Sequence, residues 1–258
     1  MIPAWLRAAA TALQFLTRLP IPGGASADPT RFEADIARAL ALFPLAGALI
    51  GTLTAATLWL ASQLWPLPLA VLLALALEAR LTGALHEDAV ADLCDGFGGG
   101  RTPEDVLRIM KDSRIGAFGL LGLAFALALR AGGLIALPDA ATAAVALIVS
   151  GWAARLLMLA AMLAIPPMPG RAGLGGSVAS QATPHRLALA LLLSLPVPLL
   201  GLWWNTQAML LALLASALFL AWFRRLVLRR LGGSTGDCFG FAAYAGLILT
   251  TLAFAAHR

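Results

Sequence analysis

Charged side chains are scarce in this chain: 12% of its 258 residues are Asp, Glu, Lys or Arg, while 60% are apolar. A soluble domain of that length carries about a quarter charged residues. Mean hydropathy is +0.88, and apolar stretches near the ~20 residues needed to cross a bilayer recur from end to end. Long polar segments are missing too, which excludes a soluble domain on a single anchor. Two cysteines, Cys94 and Cys238, are too few for a disulfide framework. Each reads as a small buried residue. No repeat, heptad or low-complexity tract stands out, so one domain over 1–258 is expected. A cleavable leader is not expected, because Arg7 and Arg18 bracket the short apolar run at the start.

What remains is an all-α fold, a polytopic transmembrane helical bundle. Seven spans are predicted, at approximately 37–61, 67–85, 116–137, 140–165, 186–204, 207–223 and 238–256. Residues 3–19 form a further apolar helix that either spans or lies in the interface. Its arginines and the Pro20-Ile21-Pro22-Gly23-Gly24 break favour the interface. The connections alternate in charge. Segments 20–36, 86–115, 166–185 and 224–237 carry Arg31, Arg101, Arg108, Lys111, Arg114, Arg171, Arg224, Arg225, Arg229 and Arg230, whereas 62–66, 138–139 and 205–206 have no Lys or Arg. Two spans separate each basic loop from the next, so all four face one compartment. The positive-inside rule makes it the cytosol, with the protein in the bacterial cytoplasmic membrane and its cysteines reduced. The net charge of +5 then reflects these loops and not a nucleic-acid partner. Glu78, Arg80, Arg130 and Arg155 lie in or at the ends of spans, where charges usually face the bundle interior. Near the span end, Glu78 and Arg80 could equally snorkel.

Eight of the thirteen acidic residues fall between Glu78 and Asp112. The densest stretch is His86-Glu87-Asp88-Ala89-Val90-Ala91-Asp92-Leu93-Cys94-Asp95-Gly96. If the helix of the span at 67–85 continues into it, Asp88, Asp92 and Asp95 share one stripe at i, i+4 and i+7. Stacked carboxylates repel unless a cation neutralises them. Oxygen-only ligands favour Mg²⁺ or a similar hard cation over zinc. A solvated acidic face would account for one or two carboxylates, but less well for the apolar cover on the other sides.

Downstream, Gly96-Phe97-Gly98-Gly99-Gly100 reads as backbone able to turn sharply or to approach a ligand, although a plain linker would look the same. Thr102-Pro103-Glu104-Asp105 is a helix start, with Glu104 and Asp105 as capping acids. The helix that follows presents Arg108 and Lys111 and runs into Asp112-Ser113-Arg114, cations suited to a phosphate-bearing substrate. Gly232-Gly233-Ser234-Thr235-Gly236-Asp237, at the start of the last span, reads as an anion cradle, although Asp237 could be an ordinary N-cap. The loop from Pro166 to Pro184 holds Arg171 and Gly173-Leu174-Gly175-Gly176, and is either functional or a linker. His185 and His257 have no identifiable partner.

The run from Leu81 to Gly96 resembles the hallmark of the cobalamin synthase family (adenosylcobinamide-GDP ribazoletransferase), as does Met110-Lys111-Asp112-Ser113-Arg114-Ile115-Gly116. Phe15-Leu16-Thr17-Arg18-Leu19-Pro20, Phe43-Pro44-Leu45-Ala46-Gly47, Gly173-Leu174-Gly175 and Gly232 to Asp237 support it, in order over nearly the whole chain. One departure is Ala89, where the family pattern commonly has glycine.

The resemblance implies the last assembly step of B12 synthesis. Adenosylcobinamide-GDP reacts with α-ribazole or its 5′-phosphate, giving adenosylcobalamin or its phosphate and GMP, with Mg²⁺ as the cofactor. On that reading Asp88, Asp92 and Asp95 hold the metal, and His86 accepts the proton or merely orients substrate. Arg108, Lys111 and Arg114, with Asp112, Ser113, Gly233, Thr235 and Gly236, contact substrate. Asp237 completes the metal shell or orients a hydroxyl. Partners are the two small substrates and membrane lipid, with homo-oligomerisation left open. The rivals are a CDP-alcohol-type membrane phosphotransferase, which also clusters aspartates at a span end, and a cation transporter. A transporter would more naturally place its acids at the midplane of repeated halves.

Overall fold

The computed structural model describes residues 2–24, 29–169 and 174–256; Arg171, Gly173 and His257 lie outside them. Helix α1 (Ala4–Leu16) comes first. At 1.5 Å per residue it is roughly 20 Å long, too short to cross a bilayer unaided. Helix α2 (Pro29–Ala39) passes through one 3₁₀ turn, Leu40–Leu42, into α3 (Phe43–Ser62). The first span is thus one helical run from Arg31 to Ser62. Helices α4 (Leu67–Thr82), α5 (Leu85–Gly99) and α6 (Pro103–Ile109) lead to two long spans, α7 (Ala117–Ile135) and α8 (Ala140–Ala164). The short α9 (Leu174–Ser180) precedes α10 (Pro184–Leu193), α11 (Pro196–Trp204), α12 (Thr206–Leu231) and α13 (Gly236–Ala256). Among the described residues, five helices are long and apolar enough to cross a membrane, or up to seven spans if the bent pairs α4–α5 and α10–α11 count as one each. The chain is an all-α, polytopic membrane protein.

The connections without Lys or Arg are tight because local caps close them. Asp139 accepts the Thr142 N–H at 2.7 Å to start α8, and Asn205 accepts the Ala208 N–H at 3.0 Å to start α12. A side-chain oxygen at the N-cap satisfies one of the free N–H groups of the first turn.

Four expectations need correction. The span predicted at 67–85 ends at Thr82: Gly83 (φ 70°) and Ala84 (φ 58°) are both left-handed, and α5 leaves at 88° to α4. Two successive residues in that region cannot carry the helical ladder forward. The stripe spacing still holds, because α5 is helical by itself. The span predicted at 186–204 is two helices meeting at 60°, since Pro196 has no N–H and crowds the preceding turn. The helix predicted at 207–223 runs on to Leu231, so Arg224, Arg225, Arg229 and Arg230 ride on its last turns. Finally, the glycine run does not turn: α5 continues to Gly99. These glycines admit neighbours instead, Gly96 facing Met110 and Val106, and Gly98 facing the Phe118 ring.

Helix α8 is the most enclosed span, with α3 and α13 on either side, while α7 and α12 turn most of their surface outward. The close crossings are made by small residues. A methyl at Gly47 would run into the Gly151 carbonyl, and one at Gly246 would lie 2.8 Å from the Ala154 Cα. Without a hydrophobic force between helices in lipid, close backbone packing of this kind holds spans together.

Candidate active site

Helix α5 is held at both ends and along one side. At its start, the Gly83–Ala84 turn sits against Arg18, whose backbone N–H donates to the Leu81 carbonyl at 2.8 Å. At its end, Arg230 from α12 donates to the Phe97 and Gly100 carbonyls at 2.9 and 2.7 Å, its guanidinium 5.3 Å from the Phe97 ring centre. A cation at a helix C-terminus meets carbonyls that have no partner in the helix. Along its side, α5 crosses the start of α13, the Ala89 methyl pressed against Gly240.

The aspartates descend from surface to interior: Asp88 is exposed, Asp92 half-buried and Asp95 buried. The charged neighbours of Asp92 are Asp88, Asp95 and, from the first turn of α13, Asp237. Asp237 is therefore inside the helix and not its N-cap. Among the described residues, however, no three His, Cys, Asp or Glu side chains converge as a metal-holding group. The carboxylates share a region without yet sharing a point. Asp88, Asp92 and Asp237 suit a hard cation by donor type. Asp95 is already engaged, taking the Gly116 N–H at 2.6 Å and the Gly119 N–H at 2.7 Å.

The other predicted substrate residues gather at the same end. Thr102 caps α6 by accepting the Asp105 N–H at 3.2 Å, and Asp105 pairs with Arg108 at 3.0 Å. Arg114 grips Asp112 at 2.7 and 3.0 Å, and this pairing lowers the Asp112 carboxyl to a pKa of about 2. A cleft of about 570 Å³ between α6 and α7 is lined by Arg108, Asp112, Arg114, Gly116 and Asp95. On the other flank of α6, a second of about 590 Å³ is lined by Arg108, Lys111, Glu104 and Met168. Lys111 lies past the end of α6, and Ser113 is exposed. The loop before α13 joins in through a short bridge. Ser234 donates to the Pro166 carbonyl at 2.9 Å, and its own carbonyl takes the Met168 N–H at 3.2 Å. This tucks Gly233 against Met168, while Gly236 touches Gly175 and Thr235 reaches Asp237 at 3.4 Å.

His86 is elsewhere. It sits roughly 160° around α5 from the aspartate stripe, 2% exposed, with neither ring nitrogen hydrogen-bonded among the described residues. This puts it on a different face of α5 from the aspartates expected to hold the metal. Its charged neighbours are Arg155 and Arg130, in a polar cluster that sequence reasoning did not assemble. Arg130 meets Glu78 at 2.8 and 2.9 Å, Thr54 donates to Glu78 at 3.0 Å, and the Tyr244 ring lies 5.8 Å from Arg130. Glu78 is thus a buried partner and does not snorkel, whereas Arg80 is exposed. The available signals were four charges in apolar spans and a single tyrosine. The Arg230 clamp had no local signal, because one basic residue at a span end looks like any other.

Three long stretches of sequence therefore meet around one acidic helix. The family model described as cobalamin-5-phosphate synthase (CobS) matches residues 8–255. An adenosylcobinamide-GDP ribazoletransferase of Ralstonia nicotianae is 41% identical over 234 residues, 90% of this chain and 88% of that one. One of Leptothrix cholodnii is 38% identical over 241 residues, at 90% and 88% coverage. Another, of Bradyrhizobium diazoefficiens, is 38% identical over 248 residues, at 96% and 92%. No solved structure matches. These matches point to neither a CDP-alcohol phosphotransferase nor a transporter, and the hallmark residues all fall at the acidic end of the bundle. The chain belongs to the cobalamin synthase family, transferases of cobalamin synthesis.

Proposed function

We propose that the acidic end of the bundle transfers the adenosylcobinamide-phosphate group of adenosylcobinamide-GDP to α-ribazole or its 5′-phosphate, releasing GMP, from the cytosolic side of the membrane. The observation that carries this reading is the cleft edged by Arg108, Arg114 and Asp95, with Asp88 and Asp237 as charged neighbours of Asp92. Phosphoryl transfer needs both signs of charge around the reacting group.

The ribazole hydroxyl oxygen bonds to the phosphorus attached to cobinamide, and the bond from that phosphorus to the oxygen of GMP breaks. Arg108, Lys111 and Arg114 hold phosphate oxygens, which turns the encounter into an oriented one. Arg114 does so while gripping Asp112, so the guanidinium presents its remaining N–H groups in a fixed direction. Gly233, Thr235 and Gly236, at the positive end of α13, cradle a second anionic group, and Ser113 borders the entrance. Asp237 orients the attacking hydroxyl and accepts its proton, a task that its place opposite Asp92 allows and that of His86 does not. Mg²⁺ would be held by Asp88 and Asp92, and when bound would offset charge on the departing phosphate.

The test is product formation by the purified, lipid-reconstituted protein given adenosylcobinamide-GDP and α-ribazole, with and without Mg²⁺. Mg²⁺-dependent adenosylcobalamin and GMP are expected, with turnover abolished in Asp92→Asn while the protein remains folded. Near-normal turnover in that variant overturns the role of Asp92. No product from the folded wild type overturns the substrate assignment.

A further inference from the structure

Asp95 belongs by spacing to the same stripe as Asp88 and Asp92, yet its surroundings differ from theirs. It is 9% exposed. Each of its carboxylate oxygens accepts a backbone N–H from α7, that of Gly116 at 2.6 Å and that of Gly119 at 2.7 Å. Those are the cap and the third residue of a 19-residue helix, whose first N–H groups have no partner within it. Gly116 itself is a glycine, with no side chain to cap α7. A carboxylate at that place also meets the positive end of the helix dipole.

A second, independent feature agrees. A methyl at Gly116 would come within 2.5 Å of the Asp95 carboxylate, and one at Gly119 would collide with the carboxylate and with the Ala91 carbonyl. Both positions are open only because they are glycine. The spacing of the second motif, ending at Gly116, thus answers to the last aspartate of the first.

We infer that Asp95 is a positioning residue, a cap supplied to α7 by α5, and not a ligand of the catalytic cation. It ties the segment bearing Asp112 and Arg114 to the aspartate helix, so that both walls of the cleft between α6 and α7 move as one. This rests on the cation reading above only in assigning the metal to other side chains.

The two roles separate by substitution. Asparagine keeps one accepting oxygen and so can still take one of the two N–H groups, alanine takes neither, and asparagine is a poor ligand for a hard cation. The experiment compares Asp95→Asn, Asp95→Ala and Asp92→Asn in the full chain reconstituted in lipid. Three readouts are taken: Mn²⁺ binding by electron paramagnetic resonance, amide exchange over residues 113–120, and kcat with KM. Asp95→Asn should stay within roughly 10-fold of wild-type kcat, and Asp95→Ala should lose roughly 100-fold with KM little changed, the range seen when support for a site is removed. Exchange over 113–120 should quicken at least about 10-fold in Asp95→Ala, where the cap is gone. Mn²⁺ affinity should hold in both Asp95 variants and fall in Asp92→Asn. Loss of Mn²⁺ in Asp95→Asn to the extent seen in Asp92→Asn overturns the inference, as does unchanged exchange in Asp95→Ala. If the wild type binds no Mn²⁺, the cation reading fails by itself, and the exchange arm with the Asn-over-Ala ranking still decides the part played by Asp95.

Discussion

Ala89 and Gly240 meet where α5 crosses α13, and the pair shows how little room the site helix has. A methyl at Gly240 would sit 2.5 Å from the methyl of Ala89. Gly240→Ala should therefore destabilise the protein by about 1–3 kcal/mol, the range for overpacking a tight contact. Adding Ala89→Gly should recover most of the loss. Thermal unfolding in detergent measures both; a Gly240→Ala protein as stable as the parent would mean that the helices do not cross so closely. The departure at position 89 is legible in this light. In this chain the glycine stands on the opposite helix, at Gly240, and leaves room for the Ala89 methyl. His86 teaches the reverse lesson at the same scale. Its place in the motif suggested a proton acceptor or an orienting group, but angular position on a helix is set by residue number, and His86 is buried in the bundle.

Helix α5 hangs in a frame of elements. Helix α4 launches it through two left-handed residues, α7 is capped by it through Asp95, and α4 and α7 are joined by the Glu78–Arg130 pair at 2.8 Å. With Glu78 3% and Arg130 2% exposed, neither charge has water to turn to if the other is removed. Glu78→Gln should cost about 3–5 kcal/mol, whereas Glu78→Leu with Arg130→Met should restore much of it, since apolar replacement of a whole buried pair is often neutral. Melting temperatures in lipid nanodiscs compare the two. If the double variant is as unstable as the single, the pair does more than satisfy itself. Helix starts were legible where caps mark them, as at Asp139 and Asn205, whereas the charge step at Arg224 does not end α12, which runs on to Leu231. The 88° turn was not, because Gly83-Ala84 reads as ordinary helix, and its left-handed backbone is stabilised by contacts with Arg18 far away in the chain.

For the whole molecule, the basic connections 86–115 and 224–237 meet where Arg230 holds the end of α5, and an orientation follows from the positive-inside rule. In a variant with Cys94 and Cys238 replaced, Ser113→Cys should react with a membrane-impermeant maleimide only in inverted vesicles. Gln63→Cys should react only from the outside of intact spheroplasts. The opposite pattern would reverse the orientation drawn from positive loops, though not the grouping of the loops themselves. That grouping is also what makes a site possible, since residues near 90, 110 and 235 come together only when the intervening spans are paired.

By itself the sequence determined the class of fold, the family and where the acidic and basic motifs fall along the chain. Each depends on local composition: apolar length, the sign of charge in the loops, caps, and motifs of contiguous residues. Tertiary structure alone decided which carboxylates face one another and which one serves a neighbouring helix, and it buried His86 among arginines and set Arg230 at the end of α5. Those outcomes depend on the angles and crossings of helices distant in sequence. The crossings are set by where small residues let two backbones approach, and one helix read alone does not carry that information.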